Sequence, residues 1–133
     1  MNIGIGFYGV IATKKFEPVK DVFLYLSLLE RGRHSVRIIT SGTGELLDRV
    51  QTWLAQNYSN SIQVCSADKG SLTTEAYQGL EVYVDSDPEK LSCLVDKVPH
   101  RLLFSKLRNS HQIKGIEVVT DWWELYNHIW HEL

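Results

Sequence analysis

The sequence contains little cysteine and no long run of apolar residues. Its two cysteines, Cys65 and Cys93, have no C-x-x-C spacing and lie among apolar residues, which predicts buried free thiols rather than a disulfide or a metal site. No apolar run reaches the roughly 18 to 20 residues that cross a bilayer. Glycines interrupt the apolar stretch near the N-terminus, which does not resemble a secretion signal. These absences predict a cytoplasmic protein with no membrane partner.

A strong excess of one charge is also missing. The net charge is −2, and acidic and basic residues are interspersed along the chain. Nucleic-acid-binding domains usually carry a basic stripe, and solvating tails carry a long acidic run. We therefore predict no nucleic-acid partner. Because no repeat, linker or low-complexity segment divides the chain, we expect residues 1–133 to form one domain.

Strand-like and helix-like segments alternate along the chain with short connections. β-branched and apolar runs predict strands beginning near residues 3, 36, 62, 81, 101 and 116. Apolar residues at helical spacing predict helices between these strands and at the C-terminal end. This alternation is typical of an α/β fold in which helices cover a mainly parallel sheet of five or six strands.

Four helix starts carry recognisable signals. Pro18 suits the first turn of a helix over 18–31, and Thr43 suits the cap of the next helix. Asp87-Pro88 combines a capping acid with proline at the first helical position. Asp121, three residues before Glu124, resembles the capping box of the last helix.

The first strand ends without a group that could act as a nucleophile. Residues 3–11 predict a buried strand followed by a tight turn, where α/β folds commonly place reactive side chains. The relevant positions hold Gly6 and Tyr8 instead of a carboxylate, thiol or histidine. A tyrosine with an ordinary pKa of about 10 is a poor acid or base at neutral pH.

Other strand ends carry polar residues whose role the sequence leaves open. Thr40 and Ser41 precede small turn residues and either cradle an anion or form an ordinary turn. Asp85 either holds a metal ion or is a loop acid, whereas Asp87 either joins it or caps the following helix. Lys69 either contacts a phosphate or is a solvated loop lysine.

The last helix carries two histidines and two tryptophans with regular spacing. His128 and His131 are three residues apart without a third ligand, which we interpret as a solvated helix end rather than a metal site. Trp123 and Trp130 are seven apart and share one flank of the helix. They either complete the core or form a partner surface through which the chain could associate with itself.

The order of elements and their strand ends resembles the haloacid dehalogenase superfamily of phosphate-handling, Rossmann-like hydrolases. In that family the first strand ends D-x-D-G-[TV]-[LI], the second ends in Thr or Ser, a Lys follows the third, and the fourth ends in an acidic pair. The corresponding stretches here are Gly6-Phe7-Tyr8-Gly9-Val10-Ile11, Ile38-Ile39-Thr40-Ser41-Gly42, Lys69 and Val82-Tyr83-Val84-Asp85-Ser86-Asp87. The strand and helix over 115–125 also resemble the end of small family members.

The resemblance implies a three-layer Rossmann-like fold with no sizeable cap domain. In the family, the first aspartate attacks phosphorus, the second is the general acid and base, and an acid of the fourth motif helps to hold Mg²⁺. Gly6 and Tyr8 stand where the two aspartates would be, so both groups are missing. The fourth-motif match leaves Asp85 as the residue implied for metal binding.

Three functional hypotheses follow. The first is a catalytically inactive, pseudo-phosphatase-like domain that binds or regulates an unidentified protein or small anion and needs no cofactor. The second is a divergent phosphohydrolase that uses Asp85 or Asp87 with a metal-activated water, Mg²⁺ being the metal, instead of a covalent aspartate. The third is a structural protein that self-associates through Trp123 and Trp130. The vestigial cleft of the first hypothesis comprises Gly6, Tyr8, Thr40, Ser41, Lys69, Asp85 and Asp87.

Overall fold

A sheet of six strands lies at the centre of the computed structural model, which describes residues 1–42, 44–67, 75–107 and 113–133. The strand order is β3-β2-β1-β4-β5-β6, and every neighbouring pair is parallel. The chain therefore winds outward from β1 in both directions, as in Rossmann-like folds. The strands are β1 Asn2–Gly6, β2 Ser35–Thr40, β3 Gln63–Ser66, β4 Val82–Asp85, β5 His100–Phe104 and β6 Ile116–Val119.

Helices cover both faces of the sheet and give the expected three layers. They are α1 Val22–Arg31, α2 Glu45–Asn57, α3 Pro88–Cys93 and α4 Trp122–Glu132, with a short 3₁₀ turn at Glu75–Tyr77. The buried side chains of α1, α2 and α4 join one apolar cluster, whereas α3 and the 3₁₀ turn join the other. The predicted α/β, Rossmann-like architecture is confirmed.

Side chains of β1 alternate between the two faces because successive residues of a strand point in opposite directions. Ile3 and Ile5 are fully buried in the cluster beneath α1, α2 and α4. Gly4 faces the other layer, where an added Cβ would lie 2.5 Å from Leu80 Cδ1 and 3.1 Å from Tyr83 Cδ1. Glycine on this face of β1 therefore leaves space for the ring of Tyr83.

The expected helix over 18–31 is shorter than predicted. It begins at Val22, and Pro18 instead forms an antiparallel bridge with Ala12. The Val19 N–H donates to the Ile11 carbonyl at 2.9 Å, and neighbouring backbone groups pair in the same way. Because this pairing uses backbone groups near Pro18, the prediction that Pro18 starts the helix is wrong.

Two of the other predicted helix starts are confirmed. The Asp87 carboxylate accepts a hydrogen bond from the Glu89 N–H at 3.0 Å, and proline occupies the first turn of α3. The Asp121 carboxylate accepts from the Glu124 N–H at 2.8 Å. The expected cap of α2, Thr43, lies outside the described residues.

The two cysteines differ in their surroundings. Both are free thiols, but Cys65 is half-buried and Cys93 is exposed. The prediction of buried thiols is therefore wrong for Cys93, because α3 ends there and turns this residue to solvent. Within the four described ranges, no helix is long and apolar enough to cross a membrane.

The tryptophan pair of α4 lies at the surface. Trp123 and Trp130 are 60% and 61% exposed, so the interpretation that they complete the core is wrong. The ring of Trp130 stacks on Tyr126 with centroids 6.4 Å apart, and Tyr126 contacts Tyr25 of α1. The alternative, a partner surface, stays a prediction.

Candidate functional site

The carboxyl ends of β1 and β4 meet at the point where the strand order reverses. Ligands of open α/β sheets usually bind in the crevice at this point. Here it brings Gly6 against Asp85: a Cβ built on Gly6 would lie 2.7 Å from the carboxyl carbon of Asp85 and 2.9 Å from each carboxyl oxygen. The carboxyl group of Asp85 therefore lies where a side chain at position 6 would begin.

Three donors hold the Asp85 carboxylate in this position. One oxygen accepts from the Tyr83 hydroxyl. The other accepts from the Ser86 N–H at 2.6 Å and from the Asp87 N–H at 3.3 Å. The residue is 6% exposed, and Tyr77 packs edge-on against Tyr83 with ring centroids 5.3 Å apart. Asp85 is thus buried, hydrogen-bonded and backed by two tyrosines.

Burial shifts the pKa values of all three of these side chains upward. Removal from water raises the pKa of the Asp85 carboxyl, although the bond from the Tyr83 hydroxyl and the nearby charge of Lys90 act in the opposite direction. Burial, followed by the charge of Asp85, raises the pKa of Tyr83 well above its ordinary value. Burial raises the pKa of Tyr77 to about 12. Both tyrosines are therefore neutral at physiological pH, and Tyr83 is the one that donates to Asp85.

The raised pKa of Asp85 predicts a dependence of stability on pH. A carboxyl whose pKa is higher in the folded than in the unfolded chain contributes stability below its unfolded pKa of about 3.9, and this contribution is lost as the pH rises through the folded pKa. Asp85→Asn does not titrate and retains groups able to accept and donate. As the pH rises from about 4 to about 7, we expect the unchanged protein to lose stability that Asp85→Asn does not lose. The difference in unfolding free energy should therefore shift in favour of Asp85→Asn.

Urea unfolding at several pH values measures this difference. Asp96→Asn is the matched control because it makes the same substitution on an exposed side chain. A difference for Asp85→Asn that is flat with pH, or that shrinks as the pH rises, would contradict the prediction.

The loop after β1 is tied to the end of β4 by Ser86. The Ser86 hydroxyl donates to the Tyr8 carbonyl at 3.0 Å. Gly9 has a φ of +88°, and a Cβ there would lie 2.7 Å from Ser86 Cβ. Glycine at this position therefore permits both the left-handed backbone and the close approach of Ser86.

Tyr8 contacts this region through its backbone. Its half-buried ring packs edge-on against Phe7 and Phe16, at centroid distances of 5.0 and 6.1 Å. These rings belong to the aromatic packing around Trp53 of α2. The contacts of the Tyr8 side chain are therefore those of a packing residue.

The end of β2 forms a turn held by its own hydrogen bonds. The buried Thr40 hydroxyl donates to the Ser41 carbonyl at 3.2 Å, and the Ser66 hydroxyl donates to the Gly42 carbonyl. Ser41 is half-buried at the same edge of the sheet. The sequence left open whether Thr40 cradles an anion or belongs to an ordinary turn. Its contacts fit an ordinary turn. Lys69, expected near this edge, lies outside the described residues.

The carboxylates near the end of β4 are already engaged by hydrogen-bond donors. Mg²⁺ requires oxygen ligands with free lone pairs in nearly octahedral geometry. N–H and O–H donors point at both oxygens of Asp85, and Asp87 caps α3. In the part of the chain that the structure describes, no group of three or more His, Cys, Asp or Glu residues could hold a metal, and this includes His128 and His131.

Comparison with known proteins identifies the architecture. No protein-family model and no curated protein matches the sequence. A D,D-heptose 1,7-bisphosphate phosphatase from B. bronchiseptica, solved with magnesium and phosphate, superposes with a TM-score of 0.67 at 13% identity, covering 99% of each chain. The phosphatase of the same name from Burkholderia thailandensis gives a TM-score of 0.72 at 12% identity, covering 98% of each chain. Both are members of the haloacid dehalogenase superfamily.

The chain has a haloacid dehalogenase-like fold. The superpositions span nearly the whole of each chain, and the residues that the structure describes include no sizeable cap domain. At these identities the likeness concerns the fold alone. The chemistry at the end of β1 and β4 has to be argued from the residues of this chain.

Sequence reasoning missed three residues of this site. Tyr83 and Tyr77 support the Asp85 carboxylate, and Ser86 connects the ends of β4 and β1. One signal was available, because Tyr83 is two residues before Asp85 in a strand and must share its face. The role of Ser86 depends on the approach of the β1 loop and carries no local signal.

Proposed function

We propose that this chain is a catalytically inactive haloacid dehalogenase-like domain that acts as a binding module. One observation carries the proposal: the carboxyl group of Asp85 covers Gly6 while its oxygens accept from three donors. A covalent phosphoryl-enzyme mechanism needs a carboxylate that can attack phosphorus in line with the leaving oxygen. Gly6 has no such group, and Asp85 would have to leave its hydrogen bonds to supply one.

The proposed ligand is a small anion or an anionic side chain of a partner protein. The binding edge would be the crevice at the carboxyl ends of β1, β2 and β4, near Ser41 and Ser86. Burial raises the pKa of Asp85, so this carboxyl gives up its proton less readily than an ordinary aspartate does, which supports an anionic ligand. In this proposal the site needs no cofactor.

A metal-dependent phosphohydrolase is the alternative, and the fold is equally consistent with it. One of the similar structures was solved with magnesium and phosphate. In this chain such an activity would require Asp85 to exchange its three donors for a metal ion. Asp85→Asn would remove the charge on which the metal depends.

The first experiment measures Mg²⁺-dependent turnover of p-nitrophenyl phosphate and of a sugar bisphosphate. We expect no turnover above that of the buffer, and no difference between the unchanged protein and Asp85→Asn. Asp96→Asn controls for a contaminating phosphatase, because an exposed residue far from the site should not alter activity. Mg²⁺-dependent turnover that Asp85→Asn abolishes and Asp96→Asn retains would overturn the proposal and establish the alternative.

The second experiment tests anion binding directly. Inorganic phosphate is titrated into isotope-labelled protein while backbone amide resonances are followed. We expect saturable shifts that include Ser41, Gly42 and Ser86, and no comparable shifts with chloride at the same ionic strength. Shifts confined to other parts of the chain would contradict the placement of the binding edge.

A further inference from the structure

Among the residues that the structure describes, none pairs with the outer side of β3. β3 is the last strand of the sheet on its side. On the inner side, the Ala67 N–H, just after β3, donates to the Thr40 carbonyl of β2 at 2.9 Å. Because backbone groups alternate in direction along a strand, those of Gln63 and Cys65 also point to β2, and those of Val64 and Ser66 point outward. These outward groups form a template for another strand.

The segment around β3 lacks the features that usually prevent strand pairing between molecules. Natural edge strands are protected by charged residues, proline or bulges. Residues 60–67 contain no charged residue and no proline. The opposite edge strand, β6, has Glu117 in its middle and Lys114 just before it. The two edges of the same sheet are thus differently protected, and only the edge of β6 is charged.

The surroundings of β3 leave space for the side chains of an added strand on both faces. On one face a cleft of about 320 Å³ lies between α2 and β3, and the described residues that line it are uncharged, among them Gln51, Thr52, Ile62 and Val64. On the other face a cleft of about 450 Å³ includes one cation, Arg37, and one anion, Glu75. Neither face therefore presents an excess of one charge.

We propose that two copies of this chain pair along β3 in antiparallel orientation and continue the sheet from one copy into the other. A two-fold interface places each segment against an identical segment, so any charge at its centre would face a like charge. The uncharged segment 60–67 avoids this repulsion, and its outward backbone groups are self-complementary. This favours a second copy as the occupant of the edge over a partner peptide chosen by charge.

Sedimentation velocity over a micromolar to near-millimolar range tests the proposal on the full chain. We expect a concentration-dependent dimer. Val64→Pro removes an outward N–H without removing a bond to β2, and we expect it to weaken the dimer about tenfold or more. Circular dichroism confirms that this variant is folded.

Gln63→Lys is the second variant, because the exposed Gln63 side chain can be replaced without loss of packing. It places like charges at the centre of the interface, and we expect the dimer to weaken about two- to fivefold. Gln56→Lys is the matched control, since it makes the same change at an exposed position of α2 outside both clefts. We expect it to leave the dimer unchanged.

Three outcomes would overturn the proposal. The first is a monomer at every concentration. The second is a dimer that Gln63→Lys and Gln56→Lys affect equally. The third is a dimer that both β3 variants leave intact but that Trp123→Ala with Trp130→Ala dissolves, in which case self-association occurs through the tryptophan pair of α4.

Discussion

Gly6→Ala is expected to lower the unfolding free energy by about 2 to 4 kcal/mol, a large effect for a single added methyl group. The new Cβ would lie 2.7 Å from the carboxyl carbon of Asp85, so one of the two groups has to move. Moving the carboxyl group breaks its bonds with Tyr83, Ser86 and Asp87, and leaves donors in a buried site. Chemical denaturation measures the loss.

A double-mutant cycle attributes this loss to the Asp85 contact. In an Asp85→Ala background the space over Gly6 is open, and we expect Gly6→Ala to cost less than about 1 kcal/mol there. Gly32→Ala is the control, because Gly32 has a negative φ of −77° and an added Cβ would meet His34 only at 3.3 Å. Equal costs of Gly6→Ala in the two backgrounds would show that the carboxyl group does not occupy the position described here.

Trp122→Ala is expected to cost about 3 to 5 kcal/mol, the usual range for removing a fully buried large aromatic side chain. Trp122 is 0% exposed and contacts Phe104 at a centroid distance of 6.3 Å. Its indole N–H donates to the Val10 carbonyl at 2.7 Å, which connects α4 to the loop after β1. The substitution thus opens a cavity and releases the loop whose backbone reaches Ser86.

Two companion substitutions separate these effects. Trp122→Phe retains most of the packing but loses the N–H donor, and we expect a cost of about 1 to 3 kcal/mol with amide shifts concentrated in residues 7–12. Trp123→Ala removes the adjacent, 60% exposed tryptophan, and we expect a cost of about 0.5 kcal/mol or less. A cost for Trp123→Ala that matched that of Trp122→Ala would contradict the burial on which the prediction rests.

Asp85 at the end of β4 has a packing role in this chain. Asp85 is placed at the edge of the sheet where a metal ligand would be expected, yet it functions here as a buried acceptor that closes the space over Gly6. The glycines at positions 4 and 6 make this possible, because they leave space for the Tyr83 ring and for the carboxyl group. The absence of a side chain at position 6 and the packing of Asp85 are therefore one structural feature.

The sequence predicted the elements well because their signals are local. Apolar spacing and β-branched runs located all six strands, and the acids at positions 87 and 121 marked the starts of α3 and α4. The predicted start of α1 was wrong because a contact between separate segments overrides a local signal. Backbone pairing between the segments around Ile11 and Val19 competes with the helix signal of Pro18, and no local pattern reveals that pairing.

The sequence by itself determined the α/β alternation, the caps of α3 and α4 and the absence of a carboxylate, thiol or histidine at the end of the first strand, because each depends on neighbouring residues. Only the tertiary structure decided what occupies the space over Gly6. Gly6 and Asp85 are far apart in the chain and meet because β1 and β4 are adjacent in the sheet. Whether a carboxylate binds a ligand or accepts internal hydrogen bonds depends on such distant neighbours, since they set its burial and supply its donors.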